Sequence, residues 1–181
     1  YSTDLAGTGL WADFDEAITY KNGDSAKLYG MELAYSQKFN NGFLIGFNTT
    51  LSKSDATIDS MKDGESLTRD IRMPNQSNVV GNAMLGWEND RFGVRVSANY
   101  KSKYLLELGD IDAPENDIYA DEQTFIDLST HVNLTKNLQL KFDAQNLGNE
   151  TFYTYQSSKL QNAQYEEYAP SYKLGLTYSH F

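Results

Sequence analysis

The stretch TFIDLSTHVNLTKNLQLKFDAQNLGN, residues 124–149, repeats one pattern on either side of a tight turn. Mostly apolar residues from Ile126 to Leu134 alternate with polar ones, and the same alternation runs from Leu138 to Ala144. Successive side chains of a strand point to opposite faces, so the stretch predicts a β-hairpin with one apolar and one polar face. The apolar face suits a core or lipid, and the polar face suits water.

The same alternation recurs along the chain, between turns rich in Asn and Gly. In the strand that contains Arg95 and Lys101, both charges fall on one face, which cannot face lipid cheaply. With the hairpin, the pattern predicts an all-β fold, an antiparallel meander of about eight strands whose apolar face meets a membrane. The strands outside the hairpin are predicted at residues 13–20, 29–39, 43–52, 79–87, 92–101 and 172–179, the first more weakly than the others.

Three segments lack alternation and are predicted to be long loops: residues 56–75, 108–123 and 150–169. The turns near Asn41, Asn89 and Lys136 are short by comparison. Short turns on one rim and long loops on the other are typical of outer-membrane β-barrels. A half-buried strand in a soluble sheet would explain any one of these strands, but the repetition favours a membrane wall.

Aromatic residues cluster near the predicted strand ends, as expected for two belts at the membrane interfaces. Four of them lie beside the short turns, and three, Tyr20, Tyr100 and Tyr104, lie toward the other end. We predict that the membrane belts contain Phe39, Phe43, Trp87 and Phe92 on the short-turn side, Tyr100 and Tyr104 on the other side, and Tyr178 in the last strand.

The sequence offers little for catalysis or metal binding. Its two histidines, His131 and His180, have no motif partner nearby, and we predict neither an enzyme nor a cofactor. The acidic segment 107–122 has no Lys or Arg and lacks EF-hand spacing, so it favours a solvated loop over a cation site. The net charge of -10 argues against a nucleic-acid partner. The candidates for ligand contact are aromatic residues of the third loop: Tyr153, Tyr155, Tyr165 and Tyr168.

Three segments resemble the C-terminal portion of TonB-dependent outer-membrane receptors. They are LYGMEL at 28–33, NLQLKFDAQNLGNE at 137–150 followed by Tyr153, and YKLGLTYSHF at 172–181. The resemblance implies that residues 1–181 are the C-terminal part of a barrel of about 22 strands, with the plug absent from this chain. It also implies that Phe181 is the signal for the outer-membrane assembly machinery.

The resemblance further implies a location in the outer membrane of a Gram-negative bacterium. The partners would be outer-membrane lipid, the remainder of the barrel and its plug, and a TonB-type energy transducer that engages a missing N-terminal part. The function would be uptake of a scarce nutrient, such as an iron chelate of the siderophore type, cobalamin or a glycan.

A complete eight-stranded barrel with an adhesion, structural or lipid-modifying role is the alternative. Such a barrel must close by pairing its first and last strands, because an open edge in lipid leaves backbone groups unsatisfied. We expect no ladder between the strand near Ile18 and the strand near Leu174, and a gently curved open sheet instead.

The layout also predicts which rim faces the cell exterior. Lys136→Cys, in a short turn, should react with a membrane-impermeant maleimide only after the outer membrane is opened, because short turns are periplasmic. Residues 112–117, in a long loop, should be labelled or cleaved on intact cells. Labelling of position 136 on intact cells would contradict this topology.

Overall fold

A computed structural model describes residue 9, residues 25–62 and residues 65–179, and these residues form strands almost throughout. A 3-10 turn at Pro114–Asn116 lies between β6 and β7. In the described part, no helix has the length and apolarity needed to cross a membrane. The strands are β1 (Ser25–Lys38), β2 (Phe43–Lys62), β3 (Glu65–Ile71), β4 (Val79–Glu88), β5 (Phe92–Lys101), β6 (Tyr104–Glu107), β7 (Ile118–Ala120), β8 (Gln123–Asn133), β9 (Leu138–Gln145), β10 (Thr151–Gln156), β11 (Asn162–Glu167) and β12 (Ser171–Tyr178).

The larger of two sheets, the wall sheet, has the order β1-β2-β4-β5-β8-β9-β12, and β3 pairs with β2 beside this path. All of its pairings are antiparallel. The seven strands predicted from residue 29 onward are confirmed, in their predicted order. The predicted strand at 13–20, and with it the pairing test at Ile18, lies outside the described residues. Among the described strands, β1 and β12 form the two edges of the wall sheet and do not pair with each other.

The register places the apolar residues of successive strands on one face. Ile45 pairs with Leu85, Leu85 with Val96, and Val96 with Leu128, so one apolar row crosses four strands. Because side chains alternate between faces, shifting the register of a strand by one residue would move all of its apolar side chains to the opposite face. The alternation in the sequence and the observed register therefore agree.

The opposite face is polar across the same strands. Asn48 pairs with Asn82, whose Nδ2 donates a 2.7 Å hydrogen bond to Asn48 Oδ1. Near the short turns, Glu88 accepts from Lys38 Nζ at 2.6 Å and from Arg95 at 3.0 Å. Arg95 and Lys101, which we expected to share one face, both lie on this polar face, and so do Glu32 and Lys141.

Large apolar side chains on the apolar face of the wall sheet are extensively exposed. Leu85 lies on β4, between two paired strands, yet 59% of its surface is accessible. Leu174, on the edge strand β12, is 71% accessible. Contiguous apolar surface of this kind marks contact with a membrane or a partner. Further exposed members of this face are Met31, Leu33, Phe47, Leu51, Ile126 and Leu176.

Backbone hydrogen bonds and one hydrogen bond from the Trp87 indole hold the short-turn rim together. Gly42 adopts a φ of 90°, and a Cβ there would collide with the carbonyl oxygen of Glu88. Trp87 Nε1 donates to the carbonyl oxygen of Asn41 at 3.0 Å. The turn between β1 and β2 is thus fastened to the end of β4.

The prediction of a loop at 56–75 is wrong over most of its length. Residues 56–62 continue β2 and pair with residues 65–71 of β3. The two segments form a hairpin beyond the apolar rows of the wall sheet, and we call it the projecting hairpin. A membrane strand needs about 9–11 residues, so the 20-residue β2 extends well past the wall. Outside the membrane neither face of a strand needs to be apolar, which is why the sequence pattern missed this hairpin.

The predictions of loops at 108–123 and 150–169 are also corrected. Both segments contain strands, which join β6 in a second sheet of order β11-β10-β7-β6, here named the loop sheet. Its strands have three to six residues, too few to show a period in sequence. The long connections are therefore a folded unit at one end of the wall sheet.

The two faces of β9 should differ in their tolerance of charge. Leu140 lies on the apolar face, where it pairs with Val132 and Leu176. Leu140→Arg should lower the free energy of unfolding in lipid by about 2–4 kcal/mol if this position lies at the bilayer midplane.

Lys141, the next residue, lies on the polar face opposite His131 and is the control. Lys141→Leu should cost far less, because it places no charge in lipid. Equal costs for the two substitutions, or the reverse order, would show that the two faces have been exchanged.

Candidate functional site

The projecting hairpin lies beside the loop sheet because residues 72–78 are tied to both. Met73 N donates to Ser54 Oγ at 3.1 Å, and Asn75 N donates to the carbonyl oxygen of Leu105 in β6 at 2.8 Å. Ser77 Oγ donates to the carbonyl oxygen of Ser102 at 2.8 Å. These bonds place the hairpin and the loop sheet together at the long-loop end of the wall sheet.

An ion pair joins the two units. Arg69 of β3 donates from Nη1 to Asp117 Oδ1 at 3.1 Å, and its Nη2 contacts Asp117 Oδ2. The Asp117 side chain is 1% accessible and that of Arg69 is 16% accessible, so the pair is largely removed from water. Asp117 also accepts from Gly109 N at 3.0 Å. The hydrogen bond to Asp117 raises the pKa of Arg69, which remains charged.

One face of the loop sheet carries a row of tyrosines that crosses three strands. Tyr165 of β11 meets Tyr153 of β10 edge-on at 6.5 Å between ring centroids. Tyr153 and Tyr155 lie 6.2 Å apart, and Tyr155 stacks on Tyr119 of β7 at 6.0 Å. The row continues to Leu105 of β6, which pairs with Tyr119. We call these four aromatic residues the tyrosine row.

The structure brings together three of the four predicted ligand-contact residues. Tyr153, Tyr155 and Tyr165 belong to the tyrosine row, whereas Tyr168 follows β11 and hydrogen-bonds Glu166. The carbonyl oxygen of Tyr168 accepts from Asn146 Nδ2 at 2.6 Å.

Asn146 has a structural role. It adopts a φ of 56° and is buried at the end of β9. Its Oδ1 accepts from Glu150 N at 2.7 Å, while its own backbone N donates to Asp127 Oδ1 at 3.0 Å. An Asn tolerates this left-handed conformation better than most residues. Asn146 therefore fixes the connection between the wall sheet and β10.

A recess of about 440 Å³ opens between the projecting hairpin and the loop sheet, and we call it the loop recess. Its wall combines cations from the hairpin and from the segment before β6 with two members of the tyrosine row. Burial is the main cause that raises the pKa of Tyr155, so its phenol is neutral at physiological pH. The residues that matter for chemistry are Arg69, Arg72, Lys103, Asp117, Tyr119 and Tyr155.

Sequence reasoning identified only Tyr155 among these six. The other five lie in segments that were predicted to be loops or at their margins, and no local pattern shows that such segments meet. One signal was present: Asp117 lies in an acidic segment without Lys or Arg, so a buried Asp117 needs a cation from elsewhere in the chain. Arg69 supplies it across 48 positions.

The predicted belt residues occupy strand ends. Trp87 and Phe92 lie 6.1 Å apart at the short-turn rim, near Phe39 and Phe43. Tyr178 pairs with Leu138 and lies on the same rim. The remaining two are at the other end, where Tyr100 pairs with Thr124 in the wall sheet and Tyr104 begins β6 in the loop sheet. Lys101 Nζ lies 3.9 Å from the centre of the Tyr104 ring.

The other residues singled out in the sequence form no site. His131 packs over Gly93 on the polar face of the wall sheet, and His180 and Phe181 lie outside the described residues. Within the described part of the chain, no group of three His, Cys, Asp or Glu side chains could hold a metal ion.

The polar face of the wall sheet carries a second, larger recess of about 670 Å³. Charges of both signs line it, including Arg95, Asp127, Asp143 and Lys173. Such a surface suits water or a polar protein partner and differs from the apolar face behind it.

A meander with one exposed apolar face, one polar face, short turns at one end and folded connections at the other defines the wall of a transmembrane β-barrel. Residues 2–147 match the family described as TonB dependent receptor-like, beta-barrel. The chain therefore belongs to the β-barrel family of TonB-dependent receptors. This family consists of outer-membrane receptors and transporters of Gram-negative bacteria, not enzymes. No curated protein and no solved structure gives a significant match.

The Arg69–Asp117 pair should hold the loop sheet against the projecting hairpin. Arg69→Gln leaves a buried carboxylate without its cation, a change that costs up to about 3–5 kcal/mol for a fully buried pair. Amide hydrogen exchange should therefore quicken in β7 and β10 and remain unchanged in β9.

Lys53→Gln is the control, because Lys53 pairs with Asp55 at 3.7 Å and both side chains are exposed, at 76% and 61%. Exposed pairs contribute about 0–1 kcal/mol, so exchange should barely change. Adding Asp117→Asn to Arg69→Gln should restore part of the protection, since no uncompensated charge remains. Equal exchange in the two single variants would show that the pair does not hold the loop sheet.

Proposed function

We propose that this chain forms part of a receptor that captures a scarce nutrient at the long-loop end of its barrel and imports it with energy from a TonB-type transducer. The nutrient classes that we consider are iron chelates, cobalamin and glycans. In this proposal, residues 1–181 are the C-terminal part of the barrel domain, and the plug and the transducer-binding segment belong to the remainder of the protein.

The observation that carries the proposal is the folding of the long connections into one unit. Plain connections between barrel strands would need no sheet of their own, no buried ion pair and no recess. Here the projecting hairpin and the loop sheet are joined by Arg69 and Asp117, and they leave a recess of about 440 Å³ between them. A recess of that volume falls within the range of small-molecule sites, about 300–1,000 Å³.

The remaining assignments follow from this placement. The polar face of the wall sheet would face the plug, and its mixed charges support that role. The apolar face would contact outer-membrane lipid between aromatic belts formed by Phe39, Phe43, Trp87, Phe92, Tyr100 and Tyr178, with Tyr104 reassigned to the base of the loop sheet. Phe181 would serve as the signal for the assembly machinery.

A complete eight-stranded barrel is less well supported. The family match over residues 2–147 points to a receptor barrel. The interior of an eight-stranded barrel is filled by its own side chains. The polar face described here instead carries a recess of about 670 Å³ over the adjacent strands β4, β5, β8, β9 and β12.

The proposal is tested in the full-length protein by replacing residues 152–166, most of the β10–β11 hairpin, with a short turn. Import of ferric chelates, cobalamin and oligosaccharides is measured in cells in which this protein is the sole receptor of its family, with and without the energy transducer. The unaltered receptor should import one class of ligand only when the transducer is present. The shortened receptor should assemble in the membrane yet lose that import.

The control replaces the four residues 134–137 of the short-turn rim with four polar residues of similar size. That variant should import normally, because the rim is far from the loop sheet. Transducer-dependent import that survives loss of the β10–β11 hairpin would remove the loop sheet from the function. An absence of transducer-dependent import for all three classes would contradict the receptor proposal itself.

A further inference from the structure

The loop recess contains two cations that no described residue neutralises. Arg72 follows β3 and Lys103 precedes β6, and both side chains are exposed. Within residues 25–62 and 65–179, neither makes a hydrogen bond or an ion pair. Their charges are therefore available to a bound molecule.

The carboxylates that line the same recess are already engaged. Asp117 is paired with Arg69, and Asp70 Oδ1 accepts from Thr57 Oγ1 at 2.8 Å. The recess is lined by three cations, Arg69, Arg72 and Lys103, and by two carboxylates, so it has a surplus of one positive charge in a chain whose net charge is -10. A concave surface of one sign raises the local concentration of ligands of the opposite sign.

The tyrosine row gives the recess a flat and largely apolar wall. Tyr119 and Tyr155 stack with 22° between their ring planes, and Tyr155 is only 4% accessible. Offset stacking on such rings is favourable for another planar ring. In the described part of the chain, neither phenol has a hydrogen-bond partner, so each can donate to an oxyanion.

We propose that the loop recess binds an organic oxyanion, a carboxylate or phosphate attached to a planar ring. This inference rests on the receptor function proposed above and names the substrate class of that site. Arg72 supplies a planar fork that can bind two oxyanion oxygens at once, and Lys103 supplies a point charge. The ring of the ligand lies against Tyr119, which is less buried than Tyr155.

The test uses the purified full-length receptor in detergent and the probe 2-naphthoate, with binding followed by calorimetry and ligand-detected NMR. The matched neutral probe is 2-naphthamide, which has the same ring and nearly the same shape. The naphthoate should bind about tenfold or more tightly than the amide, as expected when a charge-assisted hydrogen bond is lost.

The matched variants change the same two residue types at opposite ends of the wall sheet. Arg72→Gln with Lys103→Gln removes both cations of the recess, and Arg91→Gln with Lys136→Gln removes two exposed cations of the short turns. Both double variants change the net charge equally. The first should weaken 2-naphthoate binding by about tenfold or more, and the second should leave it unchanged.

Three outcomes would overturn the inference: equal binding of naphthoate and naphthamide, equal effects of the two double variants, or no binding of 2-naphthoate. Binding by the unaltered receptor involves no substitution, so this comparison holds even if a variant folds poorly. Energised import is measured separately. If 2-naphthoate binds but no ligand is imported in a transducer-dependent way, the receptor function is contradicted. If import depends on the transducer but the double variant Arg72→Gln, Lys103→Gln binds 2-naphthoate as tightly as the unaltered receptor, only this inference is contradicted.

Discussion

In the hydrocarbon of a membrane, backbone N–H and C=O groups have no water to bond, so each must find a partner within the protein. The wall sheet meets this requirement with antiparallel ladders that link its strands from β1 to β12. Each ladder also fixes the register, and the register keeps the apolar residues on one face. At the ends of this path, the outer edges of β1 and β12 pair with no described strand, so each needs a further strand in the assembled wall.

The same requirement explains what the sequence could and could not predict. Inside the membrane one face of each strand must be apolar and the other polar. Apolar residues such as Ile45, Leu85 and Val96 therefore recur at every second position of their strands, and this alternation reveals the strands in the sequence. Beyond the membrane neither face of a strand needs to be apolar, and residues 56–71 fold as a hairpin without a regular apolar alternation. The order of the wall strands was therefore predictable, whereas the projecting hairpin and the loop sheet were not.

The candidate site was predictable only in part, for a related reason. Tyr153, Tyr155 and Tyr165 share a loop and attracted notice as an aromatic cluster, but their neighbours come from distant segments. The partner of Asp117 lies 48 positions away, and Arg72 and Lys103 meet at the recess only because residues 72–78 are tied to β2 and β6. Composition identifies residues that could bind a ligand, but tertiary hydrogen bonds decide which of them share a recess.

The central claim is that β2 crosses the membrane with alternating faces and then continues into water as the projecting hairpin. A spin-label scan of residues 44–60 in the full-length protein reconstituted in lipid tests it, with collision rates measured against oxygen and against a water-soluble nickel chelate. Oxygen accessibility should alternate with a period of two as far as Leu51, and the chelate should reach every position from 56 to 60. Alternation that continues through residue 60, or chelate access on both faces between 44 and 51, would contradict the account.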